Sequence, residues 1–179
     1  MTLLNNILPE QRRGKLKALL ETGKIVRVLE AHNGLSGIIA NMAEVTGESD
    51  GQAVVRQFDA IWESSLTDSA SKGHPDIEVV TFDSRLHSIN EILAVTDKPM
   101  IVDGDTGGDA NAFEYTVSKL ERAGVSAVII EDKTGLKKNS LLKDTSKQIQ
   151  EDKNKFAQKI SAGNKAKISE DFMIIARIE

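Results

Sequence analysis

The sequence contains no cysteine. That excludes disulfides, thiolate nucleophiles and thiolate-bound zinc, and it is compatible with a reducing compartment. Nor is there a basic excess: 23 Lys and Arg against 27 Asp and Glu leave a formal net charge of −4. Nucleic acid and anionic membrane surfaces need a clustered basic face, so neither is an expected partner. No run approaches the roughly 18 consecutive apolar residues that suggest a membrane span. Residues 1–9 lack the basic start and apolar run of a secretory signal, and the expected location is the cytoplasm. There is no Walker loop, dinucleotide fingerprint, His-Glu-x-x-His or nucleophile elbow, and no internal repeat or low-complexity tract. What is there is an ordinary globular composition, 40% hydrophobic and 28% charged over 179 residues, enough for one domain with a real core.

Four short apolar runs, 25–29, 100–102, 127–130 and 173–176, are rich in β-branched residues and scarcely alternate. Strands buried on both faces of a parallel sheet read this way. A weaker fifth run, 58–62, is interrupted by Asp59. Between the runs, Leu35, Ile38, Ile39, Met42 and Val45 follow the spacing of an apolar helical stripe. Phe113, Val117 and Leu120 repeat it, with Asp109 as N-cap and Gly124 as terminator. Leu86, Ile89 and Leu93 form another stripe; so do Ile149, Phe156 and Ile160, and Leu16, Leu19 and Leu20 predict a leading helix after Pro9. Residues 77–82 have strand propensity but read as the lead-in to a helix, because an extra strand would break the alternation. Residues 47–51 read as an exposed loop. Strands alternating with helices imply an α/β fold with a parallel sheet and right-handed crossovers. Both a doubly wound open sheet and a (β/α)8 barrel cut short fit that order.

The polar residues that follow each apolar run carry the functional signal. They are Glu30, His32 and Asn33; Trp62, Glu63, Ser64 and Ser65; Asp103, Asp105 and Thr106; Glu131, Asp132 and Lys133; and Arg177. In parallel α/β folds the carboxyl ends of the strands open on one face, where chemistry is built. One such residue alone is ordinarily a helix cap or a solvated turn; five sets together read as a site. Asp103, Asp105 and Glu131 are hard oxygen ligands, suited to Mg²⁺ or Mn²⁺ rather than zinc, unless one or two of them cap helices or pair with Lys133. Arg177 offers a planar fork for a carboxylate or phosphate, or pairs with Glu131 or Glu179. The glycine-rich stretch 104–108 lets backbone N–H groups approach an anion. His32 can line the face, whereas His74 and His87 read as loop and surface residues. The lysine-rich stretch 133–167 reads as a flexible loop followed by a solvated helix face.

Read in order, these segments resemble a known family. They are Glu30-Ala-His-Asn-Gly-Leu-Ser36, Trp62-Glu-Ser64, Gly73-His-Pro-Asp76, Asp103-Gly-Asp-Thr-Gly107, Glu131-Asp-Lys133, Lys137-Lys-Asn-Ser-Leu141 and Ala176-Arg-Ile-Glu179. Together they resemble phosphoenolpyruvate mutases, of the isocitrate lyase superfamily of modified (β/α)8 barrels. The resemblance implies an enzyme that interconverts phosphoenolpyruvate and phosphonopyruvate, making a C–P bond for phosphonate biosynthesis. It implies Asp103 as the direct Mg²⁺ ligand, with Asp105 and Glu131 holding metal-bound waters. Trp62 and Ser64 would bind the pyruvyl end of the small-molecule substrate, and Arg177 its anionic groups. Lys137, Asn139 and Ser140 would lie on a mobile gating loop, Asn139 touching the phosphoryl group. Asp76 would assist or accept that group in transit.

The superfamily's isocitrate and methylisocitrate lyases use a cysteine in the gating loop, so its absence here disfavours C–C cleavage. Phosphonopyruvate hydrolase, which shares most of the site, is the nearest competing activity. Two features depart from the family pattern: residues 46–57 form a longer connection, and Thr106-Gly107-Gly108-Asp109 lacks an aromatic residue. A full barrel needs eight strands and about 250 residues, so residues 1–179 are expected to be a single incomplete barrel domain, inactive alone and homo-oligomeric when full length. From other classes, a flavodoxin-like phosphoacceptor module with Lys133 as charge partner fits the strand count but leaves Trp62 and the loop from Lys137 without a role. A non-catalytic remnant binding only Mg²⁺ or phosphoenolpyruvate is the remaining reading.

Overall fold

The computed structural model describes residues 7–134, 137 and 149–178. Two short helices, α1 (Pro9–Arg13) and α2 (Lys15–Glu21), precede the first strand. They form the expected leading helix, broken at Gly14. There follow β1 (Val28–Glu30), α3 (Gly34–Met42), β2 (Glu44–Ser49), β3 (Gln52–Gln57), β4 (Ala60–Glu63), α4 (Ser65–Ser71), α5 (Phe82–Val95) and β5 (Met100–Asp103). The chain continues through α6 (Ala110–Ala123), β6 (Ala127–Glu131), β7 (Lys133–Thr134), β8 (Ile149–Gln150), α7 (Lys153–Ala166) and β9 (Met173–Arg177).

Among the described residues the main sheet has five strands in the order β1-β4-β5-β6-β9, every neighbouring pair parallel. Each strand lies beside the member of this sheet that precedes it in the chain, with no reversal of order. Doubly wound sheets, the flavodoxin-like one included, reverse at a switch point. The sheet is therefore the advancing wall of a barrel, and the flavodoxin-like reading is excluded.

Alternate side chains of the strands serve two layers. Ile61, Met100, Val102, Val128 and Ile130 pack with Ile89, Ile92, Leu93, Phe113, Val117, Leu120, Phe156 and Phe172 from the helices and loops. Ala60 and Ala127 pack with Leu16, Val28, Ile101, Met173 and Ile175 in a second cluster. α6 forms as its sequence demands: Asp109 Oδ1 accepts from the Ala112 N–H at 2.9 Å, and Phe113, Val117 and Leu120 are fully buried. Gly124 ends it in the left-handed region at φ 88°. A Cβ there would stand 2.6 Å from Pro9 Cα. Gly124→Ala is therefore expected to destabilise the fold by about 2–5 kcal/mol, from left-handed strain and overpacking. The check is the midpoint of chemical denaturation.

Four expectations are corrected. Residues 47–51 are not a loop: β2 and β3 form a six-pair antiparallel hairpin, turned at Asp50 and Gly51 with φ 53° and 77°. Two successive positive φ values make the type I′ turn for which Asp-Gly is suited. The stripe on α3 does not face the core, since Leu35, Ile39 and Met42 are 68%, 60% and 48% exposed. α3 packs on α5 through its small residues instead; a Cβ on Gly37 would already lie 3.0 Å from Val95 Cγ2. Val45 belongs to β2 rather than to that helix. Ile149 lies in β8, paired with β7, and Ile25 is 90% exposed ahead of β1. Residues 77–81 do lead into a helix, with Thr81 as N-cap of α5. Among the described residues no helix is long and apolar enough to cross a membrane.

Candidate active site

The strand ends place their polar residues together because parallel pairing holds the sheet in register, with Glu131 opposite Arg177 and Asp103 opposite Ile129. β5 then turns sharply. The Gly104 N–H donates to Ile129 O at 2.7 Å, and a Cβ on Gly104 would be 2.8 Å from Val128 and 2.9 Å from Ile130. Only glycine lets the chain pass so close to β6. Asp105 follows in the left-handed region, φ 54°. Its N–H donates to Asp103 Oδ1 at 2.9 Å, and its carbonyl accepts from the Glu131 N–H at 2.9 Å. One turn thus ties three acidic residues from two strands to one another.

Asp76, Asp103, Asp105 and Glu131 are all buried. Lys137 sits among them, buried as well, with Nζ 2.5 Å from Asp105 Oδ1, 3.3 Å from Asp76 Oδ1 and 4.0 Å from Glu131 Oε1. It also donates to Ser65 Oγ at 2.7 Å. Burial would depress this ammonium, but Asp103, Asp105 and Asp76 together hold it above the usual lysine range. Ser65 Oγ donates to Asp103 Oδ2 at 3.0 Å. Trp62 and Ser64 stand beside it at the end of β4, half-buried, with Ser64 as the N-cap residue of α4.

Arg177 reaches in from β9, its Nη1 3.9 Å from Glu131 Oε2, and Lys133 Nζ is 3.2 Å from the same oxygen. Asn139 and Ser140 lie outside the described residues.

Ser65 and Glu63 were among the polar residues the sequence singles out after the second run, but without a partner or role; other supports were missed. Arg85, on α5, donates to Asp105 Oδ2 at 2.8 Å and to Glu63 Oε2 at 2.6 Å. Burial pushes the Glu63 carboxyl up to about 7 against the opposing pull of Arg85. Glu78, at φ 58°, accepts from the Thr106 N–H at 2.8 Å and its hydroxyl at 2.7 Å, latching the Asp76 loop to the β5 turn. Lys159 braces that turn from α7 by donating to Thr106 O at 2.7 Å. The segment from Glu30 to Ser36 has a structural part: Asn33 Oδ1 accepts from the Ser36 N–H at 2.9 Å, capping α3. His32 lies at the face, its Nδ1 3.0 Å from Glu30 Oε1. His74 and His87 are exposed.

The donor set suits a hard divalent cation. Among the described residues no three His, Asp or Glu side chains converge closely enough to ligate an ion together. Mg²⁺ does not require that, because it keeps several of its waters and takes one or two carboxylates. Glu131 Oε2 is ion-paired with Lys133 at 3.2 Å, but Oε1 accepts no hydrogen bond among the described residues and its nearest ammonium there, Lys137, stands 4.0 Å away; that buried acceptor is what a hydrated cation would satisfy.

Five parallel strands advancing in order, with acids and an arginine at their carboxyl ends, make the wall of an α/β barrel, the class of fold in which sites are built at that face. Residues 16–179 match the family model described as phosphoenolpyruvate phosphomutase, and the chain belongs to that family. It shares its fold with a solved 2,3-dimethylmalate lyase, described as a PEP mutase/isocitrate lyase superfamily member, which superposes with a TM-score of 0.76 at 24% identity. It is 34% identical over 165 residues to a phosphonopyruvate hydrolase of Variovorax sp. (strain Pal2), covering 92% of this chain and 52% of that one. The solved phosphoenolpyruvate phosphomutase of Streptomyces platensis subsp. rosaceus superposes with a TM-score of 0.81 at 34% identity, covering 96% of this chain and 54% of that one. A phosphonopyruvate hydrolase solved with oxalate and Mg²⁺ superposes at 0.75 with 32% identity, covering 97% and 53%. The chain spans about half the length of these relatives.

Proposed function

We propose that this chain carries the metal- and phosphoryl-binding part of a cytoplasmic, self-associating isomerase that interconverts phosphoenolpyruvate and phosphonopyruvate. The observation that carries the reading is Lys137, buried over the carboxylates of Asp76 and Asp105 and bonded to Ser65. Phosphoryl transfer passes through a loose transition state, so catalysis is mostly positioning and charge stabilisation in a dry site. A lysine closed over the cradle supplies a cation for the migrating group and keeps water from taking it.

In this reading Asp103 holds Mg²⁺ directly, and Asp105 and Glu131 hold its waters. Bound Mg²⁺ supplies positive charge against the charge that develops on the substrate. Trp62 and Ser64 frame the pyruvyl end, Arg177 binds the carboxylate or phosphoryl oxygens, and Asp76 stands where the phosphoryl group passes. Asn139 and Ser140 belong to the same proposal as loop contacts.

The second reading is phosphonopyruvate hydrolysis, because the Variovorax hydrolase is as similar to this chain, at 34% identity, as the Streptomyces platensis phosphomutase. It needs the same cradle with water admitted. Phosphorus NMR of phosphonopyruvate with Mg²⁺ and the intact protein separates the two. The mutase reading expects the phosphonate resonance to give way to that of the phosphoenolpyruvate ester. Accumulation of inorganic phosphate alone would overturn it in favour of the hydrolase.

A further inference from the structure

We propose that Arg85 is a positioning residue that fixes the Asp105 carboxylate, with Glu63 as its neutralising partner, and thereby sets the affinity of the acidic cradle for a divalent cation. This rests on the metal reading above. Arg85 lies on α5, away from the strand ends, and its side chain is buried. Its two terminal nitrogens divide their bonds between Asp105 Oδ2 and Glu63 Oε2, at 2.8 Å and 2.6 Å.

The backbone of Asp105 is already bolted at both ends, to Asp103 Oδ1 and to the Glu131 N–H. Its side chain can still rotate about χ1 and χ2. Arg85 removes that freedom by taking Oδ2, so the other oxygen, Oδ1, is the one presented to the cradle, where Lys137 now sits. A planar guanidinium can hold two carboxylates at a set angle; an ammonium, a point charge, cannot.

Glu63 supplies the second half of the device. It is fully buried at the end of β4, and its Oε1 has no hydrogen-bond partner among the described residues. Arg85 alone would put an uncompensated positive charge beside a cation site and weaken it. Paired with Glu63 in its ionised form, it acts through geometry while adding no net charge. Stability alone is a poor reason for the pair, because a buried ion pair is often no better than apolar residues of the same size.

The test titrates Mn²⁺, followed by its EPR signal, into the wild-type chain, the double variant R85M/E63Q and R85K. At about pH 9, well above the Glu63 carboxyl's value of about 7, the double variant replaces a neutral pair with neutral residues, so the net charge at the cradle is unchanged and any loss of affinity is positional. Its Kd for Mn²⁺ is expected to rise about 10- to 100-fold, as for other groups that orient a metal's ligands, with the near-UV circular dichroism retained. R85K keeps the buried charge and is expected to lose about tenfold on the same grounds. Wild-type affinity in the folded double variant overturns the proposal, and R85K decides in the same way if the double variant does not fold. Absence of Mn²⁺ binding by the wild-type chain overturns the metal reading and the proposal together. Binding that is indifferent to both variants overturns the proposal alone.

Discussion

Asp103→Asn in the intact protein is expected to abolish turnover while leaving the fold in place. The asparagine keeps an oxygen to accept the Asp105 N–H now bound at 2.9 Å, so the β5 turn retains its geometry. What is lost is the charge. Asp103 is the residue to which both Ser65 and the Asp105 backbone point, and it stands in a cluster whose other carboxylates are held by Lys137 and Arg85. Removing the direct ligand should weaken cation binding by more than the roughly 10- to 100-fold that follows loss of an outer partner. The thermal midpoint without metal is expected to change little, because relief of repulsion among the carboxylates is offset by lost attraction to the Lys137 ammonium that Asp103 helps to hold. Turnover near wild type at millimolar Mg²⁺ would refute the assignment of Asp103, and a collapsed thermal midpoint would show that its part is structural.

Lys137→Met is the second variant with a large expected effect, and it reads the chemistry rather than the metal. The ammonium touches Ser65, Asp76 and Asp105, so its removal takes away the cation closest to the proposed path of the phosphoryl group. Loss of one preorganised donor costs about 10²–10³ in kcat, and that is the expected fall. A methionine fills a similar volume yet cannot bond the carboxylates, so the closed site loosens and admits water. The surviving turnover is therefore expected to shift from phosphoenolpyruvate towards inorganic phosphate, followed by phosphorus NMR in the same tube. An unchanged rate would remove Lys137 from the mechanism. A lowered rate with no new phosphate would leave it a charge-stabilising role and take away the water-excluding one.

How far these residues were legible in the sequence depended on what placed them. Asp103, Asp105, Glu131 and Arg177 directly follow apolar runs, and strand polarity alone carries them to one face. Ser65 and Glu63 were in view as neighbours of Trp62, but nothing local shows that one bonds Asp103 and the other Arg85. Arg85 sits on a helix face whose apolar neighbours read as packing. Its partners lie 20 and 22 residues away, and only the packing of α5 on the sheet brings them within reach. Glu78 was hidden likewise, in a segment with the propensity of a strand. The α3 stripe misled for a related reason: hydrophobic spacing identifies a face, but the close approach of Gly37 to α5 decides which face is inside.

The sequence by itself determined the alternation of strand and helix, the caps at Asp109 and Gly124, and the line of polar residues at the strand ends. Each of these follows from contacts within a few residues, where backbone geometry and side-chain periodicity are enough. Tertiary structure alone decided that the strands advance in order around a wall, that residues 44–57 form a hairpin, and that Lys137 and Arg85 grip the two oxygens of Asp105 from opposite sides. Those outcomes depend on pairings across tens of residues, and their energies exist only once the sheet and its helices have packed.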